Sequence, residues 1–428
     1  MLSVQPARQE VNPATELIVC FDVSKDRLDG FALHETGSEG PAKLEISCKN
    51  RSQLIEEQLK ELAGYARQTG LDGLCVVCEP TGGLEKKVLR TARRLGHQTA
   101  YANSEHVAKL SLIESGDWGK TDPSDARVIS LVARLDRTQK TRHLEGEYQL
   151  LRQLGRDYDA IEQQAVQVRC RMVTLVQRLF CDYEGRTKFI FESTGRAVMA
   201  EYGWNPYRIA EDGFERFRSR IKTHVKRVRE QTVEDLFDQA QSSARQLMPE
   251  AYQELLNQRL ERLFSDWQRF EDRKTRIDRQ IAERYRRLEE RGEVPEPFEH
   301  LDRGHLGRLI GETGPLADFD HWRELLSYAG LNIRERQSGE YRGEEKITKK
   351  GRARLRKVLS RIAYAMMGPQ RLFSNYYQRK VEEGMTGIKA RVAVMRKLVK
   401  LIFGLQNSDE PFDPERVFTC ESQYASAS

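Results

Sequence analysis

The hydrophobic pattern divides the first hundred residues into short elements of two kinds. Between residues 17 and 102, apolar runs of strand length are interspersed with amphipathic stretches of helical spacing. The predicted strands cover 17–22, 27–33, 43–47, 73–78 and 97–102, and the predicted helices cover 52–67 and 84–95. Because three strands precede the first helix, we expect an α/β domain with a mixed sheet, not a purely parallel one.

Two long heptad patterns follow in the middle of the chain. Apolar residues recur at alternating steps of three and four over 151–179 and again over 256–288. Their flanks are rich in charged residues and glutamine, so we predict a helical coiled-coil domain. Such helices pair within one chain as an antiparallel hairpin or join two chains, and the spacing leaves both arrangements open.

These patterns, together with a candidate linker at 292–297, set the predicted domain boundaries. The segments are a flexible tail at 1–16, an α/β domain at 17–140, the helical domain at 145–292, a mainly helical C-terminal domain at 298–405 and a second tail at 406–428. The predicted fold class is therefore α/β plus all-α. A chain of 428 residues agrees with several domains, since one hydrophobic core rarely serves such a length.

Composition limits the classes of function. The formal net charge is +6, from 71 basic and 65 acidic residues, a mild excess that permits nucleic-acid binding without showing it. We find neither a secretion signal nor an apolar stretch of membrane-spanning length, and we expect a cytoplasmic protein without a membrane partner. Cys75 and Cys78 form a C-x-x-C motif within an apolar run, and we interpret them as buried strand thiols.

Four carboxylates fall at the ends of elements in the α/β domain. Asp22 and Glu79 each end a predicted strand, and Asp122 and Asp125 open a predicted helix. Clustered carboxylates repel one another unless cations lie among them, and Mg²⁺ or Mn²⁺ is the natural partner. Two such ions can activate a nucleophile and stabilise the leaving oxygen in phosphodiester cleavage. Asp122 also suits a helix cap and Asp125 a first-turn charge, so spacing alone does not decide between the two roles.

Short motifs in both halves of the chain carry a family resemblance. They are Phe21–Lys25, Glu79–Gly82, Lys120–Ala126, Leu326–Leu331, Gln337–Gly339 and Ile347–Gly351, with Gly343, Leu355, Arg356 and Leu359. In this order they resemble the DEDD transposases of the insertion sequence 110 (IS110) family, which are related to the Piv-type DNA invertases. The resemblance covers about residues 17–135 and 300–367, and the helical middle is the spacer.

The resemblance implies a fold, a chemistry and partners. The N-terminal domain would be RNase H/RuvC-like and hold Mg²⁺ (or Mn²⁺) on Asp22, Glu79, Asp122 and Asp125. Ser338 would attack DNA and form a covalent phosphoserine link. The protein would be a transposase or site-specific recombinase, associated with the nucleoid and guided on donor and target DNA by a structured bridge RNA. It would act as a homo-oligomer, a dimer or tetramer, and a site composed between protomers is one hypothesis.

The chain departs from the family pattern at 309–315. Many members carry a Gly-Ile-Gly-Pro hairpin at this point, whereas Glu312 and Thr313 here replace its apolar contact, which weakens the prediction of a helix-hairpin-helix DNA contact. Thr348 stands where serine is common. Tyr341 is a rival nucleophile on chemistry alone, and the motif favours Ser338.

Two basic stretches are candidate nucleic-acid contacts. The residues are Arg218, Arg220, Lys222, Lys226 and Arg227 in the middle of the chain, and Arg336, Arg342, Lys349, Lys350, Arg352 and Arg354 around Ser338. The second set could hold a scissile phosphate and stabilise the charge of the transition state. A solvated polar face is the alternative for both.

Two other functions stay open. The protein could be a RuvC-like nuclease or resolvase that activates water with the acids alone, or a non-catalytic nucleic-acid-binding scaffold whose acids are helix caps. Replacing Ser338 by alanine distinguishes the nuclease from the serine mechanism, which is wrong if cleavage and recombination both survive. Loss of activity in Asp22→Asn or Asp125→Asn, with folding and RNA binding intact, excludes the scaffold.

Overall fold

The computed structural model describes residues 12–36, 40–115, 122–141, 144–298, 301–334, 337–338, 341–342, 346–408 and 412–414. The chain forms two compact units that are each discontinuous in sequence. The first unit comprises Met1–Leu144 and Phe319–Arg356, and the second comprises Glu145–Asp318 and Lys357–Ser428. The first unit therefore joins the N-terminal α/β segment to part of the C-terminal segment.

The regular elements are numbered in chain order. The strands are β1 Glu16–Val23, β2 Arg27–Thr36, β3 Gly40–Lys49, β4 Gly73–Cys78, β5 Gln98–Ala102, β6 Thr138–Lys140, β7 Ile333–Arg334, β8 Gln337–Ser338, β9 Tyr341–Arg342 and β10 Lys346–Ile347. The helices are α1 Ser52–Gln68, α2 Lys86–Arg94, α3 Ser104–Ser115, α4 Asp122–Arg134, α5 Gly146–Leu179, α6 Ser193–Tyr202, α7 Pro206–Asp212, α8 Phe214–His224, α9 Glu230–Ala244, α10 Glu250–Glu289, α11 Arg303–Thr313, α12 Trp322–Ala329, α13 Ala353–Met366, α14 Ser374–Glu382 and α15 Gly387–Gln406. None of these helices is long and apolar enough to cross a membrane, within the part of the chain that the structure describes.

The first unit is built on a mixed sheet with strand order β3-β2-β1-β4-β5-β6. Strands β1, β4 and β5 run parallel, and β2, β3 and β6 join this centre by antiparallel pairing. This is the arrangement of an RNase H-like fold with an added edge strand. The predicted fold class, a mixed α/β domain followed by mainly helical regions, is confirmed.

Strand β1 is covered on both faces, which explains its continuous apolar sequence. Alternate residues of a strand point to opposite faces. Leu17, Val19 and Phe21 pack in the core formed with α1 and α2. Ile18 and Cys20 pack in a second core formed with α4 and the start of α3. The sheet is thus the middle of three layers.

The second unit is built on the two long helices α5 and α10. Their apolar seams pack against each other in antiparallel fashion. Glu147 at the start of α5 accepts hydrogen bonds from Arg284 near the end of α10, and Val168 near the end of α5 shares a core with Leu256 near the start of α10. Of the two arrangements that the heptads allowed, the structure therefore contains the pairing within one chain. The stretch between the seams forms α6–α9 around the same core.

Helix α11 contains residues 309–313 of the segment where the family hairpin was in question. A Cβ added at Gly311 would lie 2.8 Å from the carbonyl carbon of Leu151, and one added at Gly307 would lie 2.4 Å from the Ile281 side chain. These glycines therefore permit close packing of α11 on α5 and α10. Arg152 of α5 donates hydrogen bonds to the carbonyl oxygens of Gly311 and Glu312, at 2.8 and 3.0 Å. Residues 309–313 therefore form the end of a helix that packs on α5 and α10.

Candidate active site

Two of the predicted metal ligands end neighbouring parallel strands. Phe21 of β1 and Cys78 of β4 are register partners. Asp22 and Glu79 follow them directly, so the two acids reach the carboxyl edge of the sheet side by side. Neighbouring strands lie about 4.8 Å apart, a separation that side chains bridge through a bound cation.

The two acids also share a face of the sheet. Asp22 follows Ile18 and Cys20 in the alternation along β1, and Glu79 follows Cys75 and Val77 in that along β4. All four of these apolar residues belong to the core on the α4 side. Asp22 and Glu79 are both half-buried, and they therefore project from the face that α4 covers.

Helix α4 supplies the other two acids. Asp125 is half-buried and precedes Val128 and Ile129, which pack on the sheet, by three and four residues. This spacing places Asp125 on the sheet-facing side of the helix. Arg127 anchors the helix over β2 and β3, because its guanidinium lies 5.5 Å from the ring centre of Phe31 and pairs with Glu45 at 3.0 Å.

Asp122 is the first residue of α4, as predicted from the sequence. Its side chain lies outside the described residues. Among the side chains that the structure does describe, no three Asp, Glu, His or Cys residues are grouped closely enough to hold a metal ion. Mg²⁺ commonly binds one or two carboxylates and completes its shell with water and substrate phosphates. The carboxylate oxygens on this face are donors of the chemical type that Mg²⁺ prefers.

Asp29 is an acid that the sequence analysis missed. It is the register partner of Asp22 across the β1–β2 pair, so both project from the same face. Two carboxylates directly opposite each other destabilise such a pair. Arg27 offsets this repulsion, because its Nε pairs with Asp29 at 2.9 Å. The negative charge of Asp29 is thus balanced by Arg27. Its connection to the site is its position opposite Asp22 across the strand pair.

Glu85 is a second residue that the sequence analysis missed. It is 3 % exposed, and it fixes the loop that follows Glu79. Its carboxylate accepts hydrogen bonds from Thr81 Oγ1 at 3.1 Å and from the Gly83 amide at 2.8 Å. Tyr101 donates to its other oxygen at 3.4 Å. Burial, followed by the charge of Glu85, raises the pKa of Tyr101 to about 12.

The C-x-x-C cysteines are buried, which confirms their interpretation as strand thiols. Cys75 belongs to the core on the α4 side and Cys78 to the core on the opposite face. Since they point to opposite faces, the pair does not chelate one ion. Burial raises the pKa of Cys75 to about 12. Burial, and then the negative charges of Glu85 and Asp22, raises the pKa of Cys78 above its ordinary value.

Ser338 lies on a short β-hairpin. Strands β8 and β9 are antiparallel, with Ser338 opposite Tyr341. Strands β7 and β10 pair on either side of this hairpin in sequence, with Ile333 opposite Ile347. Only the backbone is described at Ser338, Tyr341 and Arg342, and Arg336 lies outside the described residues altogether. The observed feature is therefore a hairpin between the strands of a two-stranded stem.

The base of this stem is fixed by close backbone contact. A Cβ added at Gly351 would lie 2.5 Å from both the Gly330 nitrogen and the Tyr328 carbonyl oxygen. Arg356 Nη1 donates to the carbonyl oxygens of Ala329 and Gly351, both at 3.0 Å. The Tyr-Ala-Gly and Lys-Lys-Gly motifs therefore meet backbone to backbone, and this contact requires glycine at position 351.

An exposed ion pair links this segment to the α/β domain within the first unit. Lys350 donates a hydrogen bond to Glu105 in the first turn of α3, and Glu105 also accepts one from Lys109 at 2.9 Å. The hydrogen bonds from Lys350 and then Lys109 lower the pKa of Glu105 to about 2. The two predicted halves of the active site thus belong to one compact unit.

The predicted nucleic-acid contacts differ in their surroundings. Arg218 and Lys222 both pair with Glu230, and Arg220 pairs with Glu201 and Asp212. Those three basic side chains therefore have carboxylate partners inside the second unit. The residues that lie exposed on loops or at a helix start are Lys226, Arg227, Lys349, Lys350 and Arg354. Arg352 is half-buried, and its guanidinium lies 5.8 Å from the Tyr328 ring centre.

Two models of known protein families match this chain, one over the α/β segment with the four acids and one over the segment with Ser338. A transposase family model of the DEDD type, named for IS110, matches residues 19–181 and so includes all four acids. A second model, described as the transposase IS116/IS110/IS902 family, matches residues 306–378 and includes Ser338 and the stem. The fold and these two matches define the class as transposase-like. The chain belongs to the IS110 family of DEDD transposases.

Curated relatives are more distant. The chain is similar to the pilin gene-inverting proteins of Moraxella bovis and Moraxella lacunata, with 30 % identity over 110 residues in each case. This match covers 25 % of the chain and 34 % of each relative. The chain thus spans about a third of the length of the curated relatives that it matches.

Proposed function

We propose that this protein is a DNA transposase or site-specific recombinase that cuts and exchanges strands through a covalent link between Ser338 and DNA. The observation that carries the proposal is the placement of Asp22 and Glu79 side by side at the carboxyl edge of an RNase H-like sheet, on the face that α4 covers with Asp125. The Ser338 hairpin belongs to the same compact unit, which supports a role for both in one reaction.

Asp22, Glu79, Asp122 and Asp125 would hold Mg²⁺ or Mn²⁺. A divalent ion at this place supplies positive charge that polarises a phosphodiester and stabilises the leaving oxygen. The exposed cations near the hairpin, Lys349 and Arg354 among them, would orient the phosphate and offset the negative charge that develops on it.

The nucleophilic step would proceed at phosphorus. The Ser338 Oγ would lose its proton and form a bond to phosphorus, while the bond from phosphorus to one strand end breaks and that end leaves as a hydroxyl. A strand-end hydroxyl would later attack the same phosphorus and release the serine. Each step exchanges one phosphate ester for another, so strand exchange needs no ATP.

The partners follow from the same proposal. We infer that the protein acts on donor and target DNA at the nucleoid in the cytoplasm, under the guidance of a structured bridge RNA. The exposed residues Lys226 and Arg227 are candidates for the RNA or DNA backbone. The seams of α5 and α10 face each other within one chain, so a dimer or tetramer would use other surfaces. A site composed between protomers remains part of this proposal.

A nuclease is the second candidate. A RuvC-like enzyme would use the acids and an activated water, with no covalent intermediate. The observation in its favour is that the paired acids end the central strands of an RNase H-like sheet, and activation of water by such acids requires no serine.

The test is strand cleavage and exchange on plasmids that carry donor and target sites, with the copurified RNA present. We expect Asp22→Asn to reduce both activities by roughly 100-fold or more, with unfolding and DNA binding unchanged. Asp72→Asn is the matched control, because Asp72 precedes β4 at the opposite edge of the sheet and is exposed. EDTA should abolish activity, and Mg²⁺ should restore it.

Two outcomes decide against parts of the proposal. If Asp22→Asn keeps full activity, the proposed metal site is wrong. If Ser338→Ala retains both cleavage and exchange, the serine mechanism is wrong, whereas cleavage without exchange would favour the nuclease.

A further inference from the structure

Arg27 begins β2 at the edge of the sheet that carries Asp22 and Glu79. The strand register places Asp29 opposite Asp22 and Lys49 opposite Arg27. Arg27 and Asp29 are two residues apart on one strand, so both side chains project from the face of Asp22. Arg27 therefore lies one strand away from Asp22 and about 7 Å beyond its row, since each residue of a strand adds about 3.4 Å.

Two neighbours hold the Arg27 side chain. Its Nε donates a hydrogen bond to Ser47 Oγ at 3.0 Å and lies 2.9 Å from Asp29 Oδ1. Asp29 is the register partner of both Ser47 and Asp22, so these three residues form one row across β3, β2 and β1. The two contacts thus draw the guanidinium from the end of the sheet back towards the row of a predicted metal ligand.

The contacts at Nε leave the other donors of Arg27 available. An arginine has five N–H donors, and four of them are on the two Nη atoms. Neither Nη atom makes a hydrogen bond within the part of the chain that the structure describes, and the side chain is 63 % exposed. A guanidinium fixed on one side presents its remaining donors in a planar pair, a geometry that matches two oxygens of a phosphate.

A second cation on this face indicates that the ligand is an anion. Lys49 is exposed and lies directly opposite Arg27 across the β2–β3 pair. Like charges in this position destabilise a strand pair. Among the described residues Lys49 makes no ion pair, and the carboxylate that Arg27 contacts is Asp29. An anion bound beside both cations would relieve their repulsion.

We propose that Arg27 is a further catalytic residue, which contacts the non-bridging oxygens of the scissile phosphate and stabilises the negative charge that develops there during cleavage. This role rests on the proposed function, because the reacting phosphate must lie beside Asp22. A positioned donor accelerates the reaction when it binds the transition state more strongly than the bound substrate. Arg27 forms no bond to phosphorus and transfers no proton. Asp29 and Ser47 are positioning residues, because they act through the guanidinium.

The alternative role of Arg27 is structural. It would then only offset the repulsion between Asp22 and Asp29, which lie directly opposite each other. The two roles differ in their dependence on Asp29. A structural defect in Arg27→Gln would be relieved by Asp29→Asn, because the second substitution removes the repulsive charge. A catalytic defect would persist in the double variant.

The test is single-turnover cleavage of a synthetic duplex that carries the donor site, with the full-length protein, the copurified RNA and Mg²⁺. The variants are Arg27→Gln, Arg27→Lys, Asp29→Asn and the double variant of Arg27→Gln with Asp29→Asn. Arg94→Gln is the matched control, because Arg94 is 62 % exposed, pairs with Glu56 and ends α2 at the opposite edge of the sheet. Fluorescence anisotropy measures the affinity for the duplex, and urea unfolding measures stability.

We expect Arg27→Gln to cleave roughly 100-fold more slowly with all of the duplex bound. Its affinity for the duplex should change by less than about threefold, because the contact strengthens in the transition state. Arg27→Lys keeps the charge without the planar pair of donors, so its rate should fall by about tenfold. The double variant should be as slow as Arg27→Gln, and Arg94→Gln should cleave at the rate of the unmodified protein.

A chemical change in the DNA locates the contact. The scissile position is first mapped with the unmodified protein. A methylphosphonate at this position removes the charge of one non-bridging oxygen, so the defect of Arg27→Gln should shrink by at least about tenfold. A methylphosphonate two nucleotides away should leave the defect unchanged. This comparison separates a contact to the reacting phosphate from a general contact to DNA.

Several results would overturn the role of Arg27 and leave the proposed function in place. They are an Arg27→Gln rate equal to that of Arg94→Gln, recovery of cleavage in the double variant, and a defect that the methylphosphonate at the scissile position does not reduce. If Arg27→Gln does not fold, Arg27→Lys takes its place with the same substrates. If the unmodified protein does not cleave, the proposed function is wrong, and the role of Arg27 is wrong with it.

Discussion

Phe21 and Cys78 are register partners in the parallel strands β1 and β4, and the residue after each is a predicted metal ligand. The spacing between Asp22 and Glu79 is therefore set by the backbone ladder of the sheet. The sheet does not determine the direction in which the chain leaves β4, and this depends on the buried Glu85. The position of Glu79 thus depends on the backbone pairing of β1 with β4 and on the buried carboxylate of Glu85.

The first prediction concerns this carboxylate. Glu85→Ala would leave the Thr81 hydroxyl and the Gly83 amide without their acceptor. We expect it to lower the free energy of unfolding by about 1–3 kcal/mol and to slow strand cleavage. Glu85→Gln keeps an acceptor oxygen, so it should retain most of both. Urea unfolding and single-turnover cleavage provide the measurements.

The control for this prediction is Glu57→Ala, which removes an exposed glutamate of α1. It should change stability by no more than about 0.5 kcal/mol. If Glu85→Ala and Glu57→Ala are equally stable and equally active, Glu85 does not fix the loop. In Glu85→Gln, the pKa of Tyr101 should also fall part of the way from about 12, because the neighbouring negative charge is gone while burial, the larger cause, remains.

The second prediction concerns the base of the Ser338 hairpin. Gly351→Ala places a methyl group 2.5 Å from the backbone of Gly330 and Tyr328, so these segments must move apart. We expect a loss of about 1–3 kcal/mol in the free energy of unfolding and a larger loss of strand cleavage, because the stem that carries the hairpin shifts. Thermal unfolding and cleavage rates measure both effects.

A glycine in open space is the matched control. Gly155 lies within α5 with nothing within 4 Å of an added Cβ. Gly155→Ala should stabilise the protein by up to about 1 kcal/mol and leave cleavage unchanged. Full activity of Gly351→Ala would show that the backbone contact does not position the hairpin.

The third prediction is a pH dependence at Glu105. Its pKa in the folded protein is about 2, below the ordinary 4.5. A depressed folded pKa contributes stability that is fully present above about pH 4.5 and is lost as the pH falls towards 2. The contribution is small, because Glu105 and Lys350 are both exposed and solvent screens the pair.

A titration of Glu105 by carboxyl NMR checks this assignment. Lys350→Met should raise the pKa of Glu105 part of the way from about 2 to 4.5, since Lys109 still donates to it. Lys109→Met should raise it less, because Lys350 is the larger cause. An unchanged pKa in Lys350→Met would show that the two segments are not joined by this pair.

The sequence predicted the first half of the fold well because its signals are local. Strand β4 has the predicted bounds, and β1 differs by one residue at each end, since both strands are continuous apolar runs with clear turn residues around them. The short strand β6 was missed, because three residues of Thr-Gln-Lys carry no apolar pattern. The grouping of Phe319–Arg356 with the N-terminal segment was also beyond the sequence, because long-range contacts leave no periodicity.

In the candidate site, too, local patterns predicted some residues, whereas long-range contacts were needed to reveal others. Asp22 and Glu79 were predicted from their places at strand ends, and their shared face follows from alternation along β1 and β4. Glu85 carried no signal, because an acid at the start of a helix is common for electrostatic reasons alone. Asp29 became visible only through its register with Asp22, which depends on the turn after β1.

A covalent bond between the protein and DNA distinguishes the serine mechanism from the nuclease, and its position can be determined directly. The protein is incubated with a nicked DNA substrate and Mg²⁺, denatured and digested, and the nucleotide-bearing peptide is sequenced by mass spectrometry. We expect a phosphodiester on Ser338, present in Tyr341→Phe and absent in Ser338→Ala. A nucleotide on Tyr341, or efficient cleavage with no covalent adduct, would contradict it.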